Sequence, residues 1–176
     1  TAARSGLTFR RTNIIQGELL PMGHTLVPRA LREVVEFCVG KGAYKPFNGV
    51  TVGHFGFTVR GSLFSSRRKR DFNFEEDRSL VKVDFSGMDG DAIAYGAKPS
   101  AGASSQNEVL GRFVGESPDT LFNCIVHFHC PLKEGVEDVQ VMPQKYFECG
   151  SQECGKNTLQ GMKEMEDGLA CVMLDK

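Results

Sequence analysis

The chain has 176 residues, a net charge of −1, 40% hydrophobic and 24% charged residues. That size suits one domain with a single core, and nothing in that balance points to nucleic acid or a membrane as the main partner. No apolar run approaches the ~20 residues that cross a bilayer, and the first residues, which start at Thr1 rather than Met, show no signal-peptide core.

The six cysteines (Cys38, Cys124, Cys130, Cys149, Cys154 and Cys171) form no CxxC and no disulfide framework. They read as reduced thiols, most of them buried, in the cytoplasm or another reducing intracellular compartment.

Residues 1–27 lack a clean period and read as an N-terminal arm; residues 28–176 read as the domain proper. From Pro28, Leu31, Val34, Val35, Phe37 and Cys38 predict a helix with one apolar stripe, stopped by Gly40 and Gly42. Gly49 to Arg60 predicts a strand interrupted by glycines, with a turn at Arg60-Gly61 and a second strand through Leu63 and Phe64. The basic run Arg67–Arg70 falls in a polar loop. Leu80–Phe85 predicts another strand, and Asp89-Gly90 a hairpin turn leading to Ala92–Tyr95.

Ser104-Ser105-Gln106 reads as a helix start with serine as the cap, followed by the stripe Val109, Leu110, Phe113 and Val114. Leu121 to His129 is the strongest strand signal in the chain. A loop over Pro131–Met142, a helix over Gln152–Glu166 and a last strand over Leu169–Leu174 complete the order.

The strand signal ends in Val126-His127-Phe128-His129. On a strand, residues two apart share a face, so two imidazoles would stand side by side at a spacing that suits one Zn²⁺ at ~2.0–2.1 Å per Zn–N bond. The bland alternative is a pair of ordinary strand histidines.

Four segments, taken in order, resemble the class II aldolase/adducin family. Gly53-His54-Phe55-Gly56-Phe57-Thr58-Val59-Arg60 is similar to its Gly-Asn-hydrophobic-Ser strand. Lys98-Pro99-Ser100 with Ser104-Ser105-Gln106 resembles its Pro-Ser-Ser-Glu helix start. Ser117-Pro118-Asp119 with His127 and His129 matches its Pro-Asp…Val-His-x-His signature. Tyr146 to Glu153, with Ala170–Leu174, resembles the Gly-Ser/Thr helix and hydrophobic strand that close the fold.

The resemblance implies a three-layer α/β/α domain, with a central, mainly antiparallel sheet and helices on both faces. It implies a divalent-metal-dependent (Zn²⁺-like) aldolase- or epimerase-type lyase acting on a phosphorylated ketose, in a homo-oligomer, usually a tetramer. His127 and His129 carry over as metal ligands. A third histidine would follow Lys176.

Gln106 falls at the position of the family's catalytic acid, where an amide has no proton-accepting state near neutral pH. Glu108, two residues on, is the fallback, with an exposed helix glutamate as its ordinary reading. Gly53, His54, Ser65, Ser66, Arg67, Ser104 and Ser105 fall in the implied phosphate-binding region, with Arg67 or Arg70 able to grip a phosphate in bidentate fashion. His54 stands where the family has asparagine. These departures also suit a catalytically inactive, adducin-like structural or assembly subunit. A weaker reading takes Arg67–Arg70 as an RNA-facing patch, without the aromatic series that usually accompanies one.

Overall fold

The computed structural model describes residues 11–85, 91–116, 122–131, 133–135, 139–144, 147–148, 150–164 and 170–175. Its centre is a six-stranded sheet. The strands are β1 (Thr12–Ile15), β4 (His54–Val59), β5 (Ser62–Ser66), β6 (Leu80–Asp84), β7 (Ala92–Tyr95) and β8 (Phe122–His127), in the order β1-β7-β6-β5-β4-β8. Only β1 against β7 is parallel; the other pairs are antiparallel. The N-terminal arm therefore contributes an edge strand to the same sheet. A short ribbon of β2 (Pro46–Phe47) and β3 (Val50–Thr51) precedes β4.

Strand alternation sorts the side chains onto two faces. Phe55 and Phe57 of β4 lie with Phe64 of β5 and Leu80 of β6 on one face. There they pack with Leu31, Val35 and Cys38 of helix α1 (Arg29–Gly40), and with Tyr44 and Phe72. Phe57 and Phe64 are direct cross-strand partners with stacked rings 5.1 Å apart. The opposite face holds Leu63, Val81, Val83, Ala92 and Ala94, covered by Ala103 and Leu110 of helix α2 (Ala103–Glu116). Helices thus cover both faces, giving the three-layer α/β arrangement expected from the sequence.

Two local features set the ends of the central strands. Arg60 and Gly61 both have positive φ (49° and 81°), as a two-residue hairpin of matching twist requires. Gly53, at φ 111°, separates β3 from β4, and a side chain there would strike the His127 carbonyl. Because β4 begins only at His54, the pair His54–His127 is the last of the β4–β8 ladder.

Several local expectations need correction. Val34 and Phe37 of α1 are exposed, at 45% and 64%, so the buried stripe is the narrower Leu31-Val35-Cys38 set. Helix α2 starts before the serines: Ser100 Oγ accepts from the Gly102 amide and the Ser100 carbonyl from Ala103. Ser104 and Ser105 therefore lie inside the helix rather than capping it.

The segment read as a loop contains β9 (Gln140–Pro143), which pairs in parallel with β11 (Ala170–Asp175). The third helix, α3 (Gln152–Gly161), is shorter than expected. It is capped by Ser151 Oγ accepting from Cys154 N, and it gives way to β10 (Lys163–Glu164), antiparallel to β11. The Asp89-Gly90 turn lies outside the described residues, as do the side chains of Phe113 and Val114. Among the described residues no helix is long and apolar enough to cross a membrane.

Candidate functional site

The α2-facing side of β4 carries His54, Gly56 and Thr58, the residues that alternate with the phenylalanines. His54 stands directly opposite His127, and their rings stack with centroids 4.6 Å apart and planes 16° apart. From α2, Gln106 Nε2 donates to His54 Nδ1 at 2.7 Å. An amide nitrogen can only donate, so Nδ1 accepts and the imidazole proton sits on Nε2.

The other edge of the ring rests against Gly102, where any Cβ would fall on His54 Nε2, Cδ2 and Cε1. Gly56 plays the same part for Gln106: a Cβ there would lie 2.8 Å from Gln106 Oε1 and 2.7 Å from the Phe64 carbonyl. Two glycines thus leave the space that the His54–Gln106 pair fills. Gln106 is fully buried and His54 nearly so. Burial holds the His54 imidazole well below its ordinary basicity, with the nearby His127 and His129 adding to the effect.

Beyond the last ladder pair the chain leaves strand geometry, so His129 is not placed by the alternation that the His-x-His spacing suggested. Its ring nevertheless returns to His127: the two Nε2 atoms are 3.1 Å apart, and the planes are nearly perpendicular at 89°. His127 is half-buried and His129 exposed.

Neighbouring corners of a tetrahedral ion with ~2.0–2.1 Å bonds lie about 3.3 Å apart, so this nitrogen pair fits two ligands of one Zn²⁺-like ion. Among the described residues no group of three or more His, Cys, Asp or Glu side chains is arranged to hold a metal. His54 does not supply the third ligand, since Gln106 holds one ring nitrogen and Gly102 covers the other.

The other residues singled out from sequence are dispersed around this centre. Gly53 lies against the His127 carbonyl. Ser65, Ser66, Ser104 and Ser105 are all buried. Ser66 Oγ accepts from the Phe55 amide at 3.1 Å, and Ser105 Oγ donates to Cys154 Sγ at 3.7 Å. Arg67 Nη2 donates to the Glu76 carbonyl at 3.0 Å and lies 3.6 Å from Asp77; Arg70 lies 3.8 Å from the same carboxylate. Glu108 packs its Cβ toward Gly155 of α3.

The structure therefore brings together Gly53, His54, Gln106, His127 and His129, and places Arg67 and Glu108 in other contacts. Sequence reasoning missed the stack of His54 on His127 and the slots at Gly56 and Gly102. The available signal was a strand histidine flanked by Gly53 and Gly56, since glycines within a strand mark the close approach of a neighbouring backbone or side chain.

No family model and no curated protein matches the chain. Among solved structures, the crystal structure of YgbL from Escherichia coli, "a putative aldolase/epimerase/decarboxylase", is similar at 14% identity and a TM-score of 0.48. The likeness covers 74% of this chain and 67% of that one.

Proposed function

We propose that this chain is an aldolase-like lyase dependent on a divalent metal, with His127 and His129 as two of the metal's ligands. The observation that supports this reading best is the 3.1 Å approach of their Nε2 atoms at the open end of β8. A bound divalent ion would act there as a Lewis acid toward the carbonyl of a ketose substrate.

The chain's own residues divide the remaining work. His127 and His129 present neutral imidazole nitrogens to the ion. Gln106 cannot move a proton, and its amide is committed to His54. Proton transfer therefore falls to another group in this reading. The buried serines do not reach a ligand without rearrangement, so a substrate phosphate would rely on the Arg67–Arg70 loop.

Metal analysis of the purified protein, with and without added Zn²⁺, tests the proposal. About one equivalent that disappears in the double variant His127→Ala, His129→Ala is the expected result. Less than a tenth of an equivalent in the unaltered protein would end the reading.

The buried, histidine-bound amide of Gln106 favours a second reading, a catalytically inactive assembly subunit on the same scaffold. That reading expects the double histidine variant to keep the protein's oligomeric state and biological role. Loss of the role with folding intact would count against it.

A further inference from the structure

His54 has an unusual set of neighbours for a residue that is not itself a ligand. Gln106 reaches across from α2 to hold Nδ1 at 2.7 Å. Gly102 leaves just the space that the far edge of the ring occupies, and Gly56 leaves the space for the Gln106 amide. The ring that results lies flat on His127, 4.6 Å away, and His127 in turn meets His129 at 3.1 Å. Four side chains thus form one continuous series, anchored in the core by Gln106 and ending at the exposed His129.

A histidine on a strand has freedom about two torsions, and half-burial alone leaves the ring plane undetermined. For His127 the ring plane decides whether Nε2 turns toward His129 or away from it. On the α2 side the His54 imidazole lies flat against that ring and limits its tilt, and His54 is itself held by Gln106 at one edge and bounded by Gly102 at the other.

We propose that His54, locked by Gln106 in the slot left by Gly56 and Gly102, is a positioning residue that orients His127 for metal binding. This rests on the reading of His127 and His129 as a metal pair. The positioning acts through a stacked ring, a contact different in kind from the hydrogen bond that commonly orients a ligating imidazole. It also assigns a purpose to the amide at position 106, which serves to hold a ring and not to move a proton.

Co²⁺ binding provides the test, since its visible absorption reports ligand geometry and its affinity can be read without any substrate. The unaltered protein is compared with His54→Asn, which keeps a polar partner for Gln106 but removes the ring. It is also compared with Gln106→Leu, which keeps volume but releases the ring. His127→Ala is the control, and thermal unfolding checks that each variant is folded.

The expected result is a 10- to 100-fold loss of Co²⁺ affinity in both His54→Asn and Gln106→Leu, the scale typical of outer-shell partners. A changed visible spectrum at saturation should accompany it. Folded variants that bind Co²⁺ within twofold of the unaltered protein, with the same spectrum, overturn the positioning role while leaving the metal pair intact. Tighter binding by Gln106→Leu also overturns it, because His54 would then be a ligand that Gln106 restrains. If the unaltered protein binds no Co²⁺, or binds it equally well without His127, the metal reading itself fails and this inference fails with it.

Discussion

The two faces of β4 differ as much as any two regions of this molecule. On the α1 face, Phe55 and Phe57 meet Tyr44, Phe64 and Phe72 in edge and stacked contacts, a dry core whose parts are interchangeable in kind. On the α2 face the same six-residue strand presents His54, Gly56 and Thr58 to Gln106 and its neighbours. Buried polar atoms without partners are more frequent on the second face, at Thr58 Oγ1, Ser65 Oγ, Ser104 Oγ and Gln106 Oε1, although the α1 face holds one as well, the Tyr44 hydroxyl. One face supplies stability and tolerates change in kind. The other gives up some stability to hold particular groups in particular places, as sites commonly do.

The largest expected effect breaks the comparison on its dry side. Phe57→Ala removes a fully buried ring stacked on Phe64 and should cost about 3–5 kcal/mol in urea unfolding. Any folded fraction should bind Co²⁺ as the unaltered protein does, because His54 and Gln106 meet on the opposite side of β4. A Co²⁺ affinity that falls in step with stability would show that the two faces are not separable.

Gly102→Ala breaks the other side. Its methyl group would fall on the His54 ring, and the ring has nowhere to retreat while Gln106 holds it. Overpacking of this kind costs about 1–3 kcal/mol, less than the phenylalanine deletion. Yet this smaller change in stability should bring the larger loss of metal affinity. Unchanged Co²⁺ binding in Gly102→Ala would mean that the slot is ordinary packing.

The dry face was legible in the sequence. Leu80 and the phenylalanines of β4 lie in runs that announce strands by composition, and Leu31, Val34, Val35, Phe37 and Cys38 announce a helix, of which Leu31, Val35 and Cys38 are the buried part. The site was legible only in its endpoints. His127 and His129 stand out by spacing, but their pairing on one face requires a strand through position 129. The ladder in fact ends at His127, because Gly53 delays the start of β4.

The His54–Gln106 bond joins residues 52 positions apart, and no local pattern encodes a contact set by how α2 lies on the sheet. Misplaced boundaries share a cause. Ser104 and Ser105 have good cap chemistry, yet Ser100 makes the turn first. Met162 to Glu164 has helical composition, yet pairing with β11 draws Lys163 and Glu164 into a strand.

The pH dependence sharpens the contrast further, because β4 turns phenylalanines to the α1 face and a buried histidine to the α2 face. Burial depresses the His54 basicity in the folded chain, whereas in the unfolded chain it protonates near its ordinary value of about 6.5. As the pH falls through that value the unfolded state takes up the proton first, so stability is lost on the acid side and kept above it. With a chelator present, stability should fall by up to about 1.4 kcal/mol per pH unit below ~6.5. Urea titrations at pH 7.5, 6.5 and 5.5 should show a shallower decline in His54→Asn. Equal slopes in the two proteins would remove His54 from the account.

The smallest change tests whether the polar face is costly in itself. Thr58 Oγ1 is buried on the α2 side with no hydrogen-bond partner, and valine has nearly the same shape. An unsatisfied buried hydroxyl costs about 1–3 kcal/mol, so Thr58→Val should stabilise the chain, by about 1 kcal/mol once imperfect fit is allowed for. The comparison turns on the sign. A gain in urea midpoint with Co²⁺ binding unchanged would mark Thr58 as tolerated beside the site but no part of it. A loss would mean that an ordered water bridges Thr58 to its polar neighbours, since removing a bonded hydroxyl leaves such a water's other partners unsatisfied. The polar face would then be a hydrated network extending from the histidines along β4, and the boundary between site and scaffold would lie further inside the sheet than His54 and Gln106 place it.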